Sequence, residues 1–155
     1  MGLDITAYSH LAYVVPYEPD VPAEEDYETT CVHIYQDGAI NRLDGAREGW
    51  YRPTAATTGH AFRAGSYSGY NEWREALCWM ALRVRPQAVW KSPEAFAGRP
   101  FVELINFSDC EGCIGPVTSA KLAADFASIA RDFPLWEHWH TALTLAAQGG
   151  FVTFH

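Results

Sequence analysis

The chain has 155 residues, 48% of them apolar, which is one domain's length and an ordinary globular composition. Its net charge of −8 sits at the front, because residues 1–41 carry eight acids and no Lys or Arg while the remainder balances eleven acids against eleven bases. Without a basic face, direct nucleic-acid binding is not expected. Without a signal peptide or a spanning apolar run, and with four cysteines too few for a disulfide scaffold, the expectation is a cytoplasmic protein with reduced thiols and no membrane contact.

Leu3–Tyr8 alternates Leu3, Ile5 and Ala7 against Asp4, Thr6 and Tyr8 and reads as a half-buried strand. Leu11–Val15 continues it or lies beside it. Pro16–Glu28, with three prolines and six acids, reads as an exposed acidic loop. Its sharper reading is a surface that competes for a basic partner, as a nucleic-acid mimic would. Thr29–Tyr35 is β-branched and aromatic and predicts a second strand, closed by an Asp37-Gly38 turn. Residues 41–60 contain Asp44-Gly45, Gly49, Pro53 and Gly59 and predict a long irregular connection anchored by Trp50 and Tyr51, with room for a short strand.

His60–Arg63 enters as a strand and leads into Phe62–Arg74, which holds two glycines, two serines, two tyrosines, an asparagine and two arginines. This stretch predicts a strand end, a tight loop and a helix start capped by Ser68 or Gly69. The helix runs over Tyr70–Val84, with Trp73, Ala76, Leu77, Met80, Ala81 and Val84 at the spacing of one buried stripe, and stops before Pro86. Ser92-Pro93-Glu94 starts a short helix that Gly98 and Pro100 end. Phe101–Phe107 is apolar on both faces and predicts a central strand, with Glu103 and Asn106 as polar exceptions. Ser108–Gly115 is a second glycine-rich loop, and Pro116 suits the first turn of a helix carrying Leu122, Phe126, Ile129 and Phe133. A third helix follows Pro134, with Leu135, Trp139, Ala142, Leu143 and Ala146 inward and Gly149 at its end, and Phe151–His155 reads as a short strand.

Both glycine-rich stretches are therefore strand–loop–helix junctions. If their strands are neighbours running the same way, both loops and both helix starts share one end of a sheet, where open α/β sheets bind ligands. The ligand-binding candidates are Arg63, Ser66, Tyr67, Ser68, Tyr70, Asn71 and Arg74 from the first stretch and Asn106, Ser108, Asp109 and Glu111 from the second. Arginines and helix-start amides suit an anion, and Tyr67, Tyr70 or Trp73 suits a flat ring, so a nucleotide is the natural example. Asp109 and Glu111, with Asp4 or His155, alternatively hold a divalent metal or act as acid and base, which makes the second candidate a small hydrolase working with or without a metal.

Other chemistry is weaker. Cys110 and Cys113 form a C-x-x-C that precedes its helix by several residues and is flanked by Asp109 and Glu111, whose charge disfavours thiolate. Zinc would need two more ligands, and Cys31 and His33 share one strand face without a second spaced pair. His138 and His140 point to different faces of a helix. Gly65–Gly69 has Tyr67 where a nucleophile elbow has serine. No metal or cofactor is assigned.

Met-Gly-Leu-Asp-Ile-Thr-Ala-Tyr at the start, Phe62–Arg74, Glu103–Asp109 to Gly115-Pro116, and Phe154-His155 resemble an uncharacterised family of short bacterial and phage proteins. The family has no assigned activity, so the resemblance implies no catalytic residues. Its phage context implies one role, sequestering a signalling nucleotide of a host defence.

The expectation is a single α+β domain over 1–155: a mixed β-sheet of about four to six strands packed by three main helices. The first functional reading is a binder of a small anionic, nucleotide-like ligand. A hydrolase and a protein-interaction module acting through the acidic loop are the alternatives, and homo-oligomerisation stays open.

Overall fold

The computed structural model describes residues 1–18, 26–36, 38 and 40–155. Strands Gly2–Tyr8 (β1), Leu11–Val15 (β2), Val32–Ile34 (β3), Gly49–Pro53 (β4), Gly59–Ser66 (β5), Gly112–Ile114 (β6) and Phe151–Phe154 (β7) alternate with helices Tyr27–Thr30 (α1), Tyr67–Leu82 (α2), Pro86–Lys91 (α3), Val102–Ile105 (α4), Pro116–Ala127 (α5) and Trp136–Ala146 (α6). The class is α+β. In place of one mixed sheet there are two antiparallel sheets, ordered β5-β1-β7-β6 and β2-β4-β3. In the larger sheet β1 pairs antiparallel with both β5 and β7, and β7 pairs antiparallel with β6.

The alternation of β1 puts Leu3, Ile5 and Ala7 on the helix-covered face with Phe62, Ala64, Ile114, Val152 and Phe154. Helices α2, α5 and α6 close that face with Tyr70, Trp73, Leu77, Leu122, Phe126, Trp139 and Leu143. The small sheet covers part of the other face, where Ile34, Leu43 and Tyr51 meet Cys113 and Phe151.

Several elements depart from the sequence expectation. Helix α2 starts three residues earlier, because Ser66 is the N-cap and its Oγ accepts from Gly69 N at 3.0 Å. It ends at Leu82, with Arg83 in the left-handed region at φ 59°. Its buried stripe is rotated toward Tyr70, Arg74 and Cys78, and Ala76 is exposed. Phe101–Phe107 is a helical turn, not a strand: Phe101 takes φ 63°, its N–H donates to Asp125 Oδ2 at 2.9 Å, and Leu104 and Ile105 bond back to its carbonyl. Thr29–Tyr35 splits into the end of α1 and the three residues of β3, since Thr30 Oγ1 bonds back to Asp26 O at 2.9 Å. Residues 41–60 contain all of β4 and the start of β5. Helix α5 stops at Ala127, and Ile129 and Phe133 pack from the following turns. The central part of the predicted acidic loop, 19–25, lies outside the described residues.

The start of α5 is filled by the protein itself. Asp44, at φ 58°, accepts from Thr118 N at 2.8 Å and from Thr118 Oγ1 at 2.7 Å. A Cβ on Gly115 would lie 2.7 Å from Leu43 O, so the turn at 42–44 docks where only glycine fits. Asp44→Ala is expected to cost about 1–2 kcal/mol, the scale of a lost N-cap with a carboxylate at a helix start. Urea denaturation measures it, and an unchanged midpoint would show that the turn docks through its backbone alone.

Candidate functional site

One end of the four-stranded sheet gathers most of the singled-out residues. Gly2 pairs with Ser66, Ile5 with Phe154 and Gly112 with Phe154, so this end holds the start of β1, the end of β5, the end of β7 and the start of β6. Strands β5 and β6 are the two edges and run in opposite directions. The helix starts of α2 and α5 are therefore at opposite ends, and the second stretch reaches this end through the loop before β6. The sheet divides the gathered residues into two groups.

The first group lies on the helix side. Arg74 is 4% exposed. Its Nη1 donates to Phe107 O at 2.8 Å, and its Nη2 donates to Asn71 Oδ1 and lies 3.9 Å from Asp109 Oδ2. Asn71 Nδ2 donates to Asp109 Oδ2 at 2.8 Å and to Tyr67 O at 2.9 Å. The guanidinium carbon lies 5.4 Å from the Tyr70 ring centre and 5.0 Å from that of Trp90. This network locks α2 to the 107–109 loop. The Tyr70 hydroxyl and Arg74 Nε are buried there without a hydrogen-bond partner among the described residues. Burial raises the Tyr70 pKa, against the opposing pull of the Arg74 charge. Tyr70 and Trp73 are core residues, 0% and 8% exposed, so neither is a platform for a ligand ring.

The second group lies on the opposite face and at the sheet end. Arg63 alternates with Phe62 and Ala64, which face the helices, and so turns away from them. Its Nη1 donates to Asp4 Oδ2 at 3.3 Å and to Oδ1 at 3.4 Å, with both side chains about half exposed, 56% and 47%. Between the pairs Leu3↔Gly65 and Asp4↔Arg63, β5 carries one extra residue, and Gly65 sits at φ 128°. Such a bulge bends the strand end and re-aims its side chains. A Cβ on Gly2 would lie 2.0 Å from Arg63 Nη2 and 2.6 Å from Gly65 O. The guanidinium thus rests over the Gly2 backbone, beside the step from β5 into α2. Ser66 and Ser68, with their Oγ atoms 3.2 Å apart, are exposed at that step, and Tyr67 packs partly onto the core.

Next across the sheet, Asp4 and His155 exchange backbone bonds of 2.8 and 3.0 Å, and His155 Nε2 lies 2.9 Å from Thr6 Oγ1. Gly112–Phe154 is the last pair of β6 and β7, and Glu111 and His155 are the residues just beyond it at this end of the sheet. Ser108 Oγ accepts from the amides of Cys110 and Glu111 at 3.3 and 3.2 Å and holds the loop. Asn106 joins neither group. It lines a separate open groove of about 400 Å³ with Arg42, Glu103 and Gly98. Arg74 and Arg63 thus fall on opposite faces, and only Arg63 presents its charge to solvent.

Cys110 and Cys113 are both free thiols in unlike surroundings. Cys110 is exposed, whereas Cys113 is buried against the small sheet, and burial pushes its thiol up to about 12. Among the described residues no three His, Cys, Asp or Glu side chains gather as a metal site, and no helix is long and apolar enough to cross a membrane.

Trp90 and Thr6 belong to this end and were not singled out in the sequence. Trp90 sits on α3, which carries no strong periodic signal, and nothing local marks it as a wall for Arg74. Thr6 alternates with Asp4, and that spacing was a usable signal. No family model, curated protein or solved structure matches this chain.

Proposed function

We propose that the chain binds a small anionic, phosphate-bearing ligand, a nucleotide being the class to test first, at the step from β5 into α2. The observation that carries this reading is the half-exposed Arg63 guanidinium beside the start of a helix of 16 residues. The first-turn amides of Tyr67 and Ser68 have no carbonyl partner within the helix, and an anion there gains from the aligned peptide dipoles. The Ser66 and Ser68 hydroxyls add donors of variable direction. Asn71, Arg74 and Asp109 do not touch the ligand in this reading. They fix the first turn of α2 against the 107–109 loop, with two buried polar atoms left unpaired, as functional ends tolerate. By contrast the start of α5 is closed to anions by Asp44. In a phage setting such a binder would act by sequestering a signalling nucleotide.

A second reading is hydrolysis with Glu111 and His155 as the acid–base pair, favoured by their positions just beyond the paired ends of β6 and β7. One experiment separates the two. The protein is stripped by unfolding, refolded and incubated with linear and cyclic nucleotides. Bound material is then released and weighed by mass spectrometry. Recovery of intact nucleotide supports the binder, a changed mass in the free fraction supports the hydrolase, and neither result overturns both.

A further inference from the structure

At the other end of β5, on the helix side, His60 meets His138 of α6. His60 Nε2 and His138 Nδ1 are 3.2 Å apart, and the ring centres are 5.3 Å apart with planes inclined at 22°. Two nitrogens each about 2.1 Å from one ion lie about 3.0 Å apart at a right-angled and about 3.4 Å apart at a tetrahedral ligand angle. The observed separation falls between these limits.

We propose that His60 and His138 form a two-histidine site for a divalent transition ion of the zinc, copper or nickel class, bridging edge strand β5 to helix α6. Imidazole nitrogens select these ions over magnesium or calcium, which prefer oxygen ligands. The rings are held before any ion arrives. Phe62 stacks on His138 at 5.1 Å and 14°, and Trp139 meets Phe62 edge-on at 5.2 Å. His60 is partly buried and its ring also meets Phe62 at 5.8 Å, so both imidazoles lean on the same aromatic side chain. With two protein ligands the ion retains exchangeable positions, unlike a closed structural zinc site. The site is independent of Arg63, which faces the opposite side of the sheet.

The test uses the full chain and the metal ions alone. Zinc is added in calorimetry and in thermal melts, and nickel or copper is followed by quenching of tryptophan fluorescence, since Trp139 adjoins His138 in sequence. The wild type is expected to take up one ion per chain and to gain about 5 °C or more in Tm at saturation. His60→Gln and His138→Gln are each expected to weaken binding by at least about tenfold. His140→Gln, whose ring instead stacks on Trp136 at 4.5 Å, is expected to bind as the wild type does. Magnesium and calcium should give no response. Absence of zinc binding in the wild type, or binding retained in both single variants as judged beside their circular-dichroism spectra, overturns the proposal.

Discussion

Replacing Arg74 with Met is expected to cost about 2–3 kcal/mol of stability. The methionine keeps apolar volume between Tyr70 and Trp90, so the loss isolates the polar network. It leaves Phe107 O and Asn71 Oδ1 without their buried donor. The charge pair with Asp109 adds less than a buried pair would, because Asp109 is 41% exposed and its partner sits 3.9 Å away. In urea the midpoint should fall by about 1–2 M with an unchanged slope. Arg74→Lys keeps the charge but loses the planar fork that reaches Phe107 and Asn71 together, so it should recover less than half of that loss. A midpoint shift below about 0.3 M in the methionine variant would mean that Arg74 does not hold α2 to the loop.

Replacing Arg63 with Ala is expected to reverse the pattern: little change in stability, within about 0.5 kcal/mol, and at least a tenfold loss of anion affinity. Its ion pair with Asp4 is long and half exposed, so it adds little to folding. Asp4→Asn removes the carboxylate that competes with an incoming anion and should tighten binding several-fold at low salt, with the gain fading as salt screens it. Titration with the nucleotide recovered in the binding screen measures both. Unchanged affinity in Arg63→Ala would remove the site from this end of the sheet. Equal loss in Asp4→Asn would make the ion pair a unit that shapes the strand end and would take the guanidinium out of direct contact.

The three long helices were legible because each buries one stripe against a sheet, which imposes a 3.6-residue period on the chain. Phe101–Phe107 was not, because a run buried on all sides has no period to read. What decides its shape is the Asp125 carboxylate, 24 residues away, accepting the Phe101 amide. The meeting of the two glycine-rich stretches was expected only if their strands were neighbours running the same way; β5 and β6 are instead the two opposed edges of the sheet, and the stretches meet through Asn71 and Asp109. Its geometry was not foreseen, because the loop arrives before its strand and not after it. The split of the two arginines was nonetheless written in their spacing. Arg63 alternates between Phe62 and Ala64, and Arg74 stands four residues from both Tyr70 and Cys78 on the buried stripe. Reading face as well as sequence neighbourhood would have separated an exposed cation from a buried latch. The Asp44 cap had no such signal, since its partner Thr118 lies 74 residues on.

The pairing of β1 with both β5 and β7 has a consequence for how the chain is made. Strand β1 is synthesised before β5 and β7, yet Asp4 bonds to His155 and Thr6 pairs with Thr153. During translation β1 can pair with β5 on one side while its other edge waits for β7 to emerge. Until then its open edge and apolar face are a template for wrong partners. Closure of so long a loop also raises contact order, which slows folding relative to a helical chain of the same length. The polar residues Asp4, Thr6 and Tyr8, which alternate with the apolar ones along β1, give the nascent strand one face that water can hold.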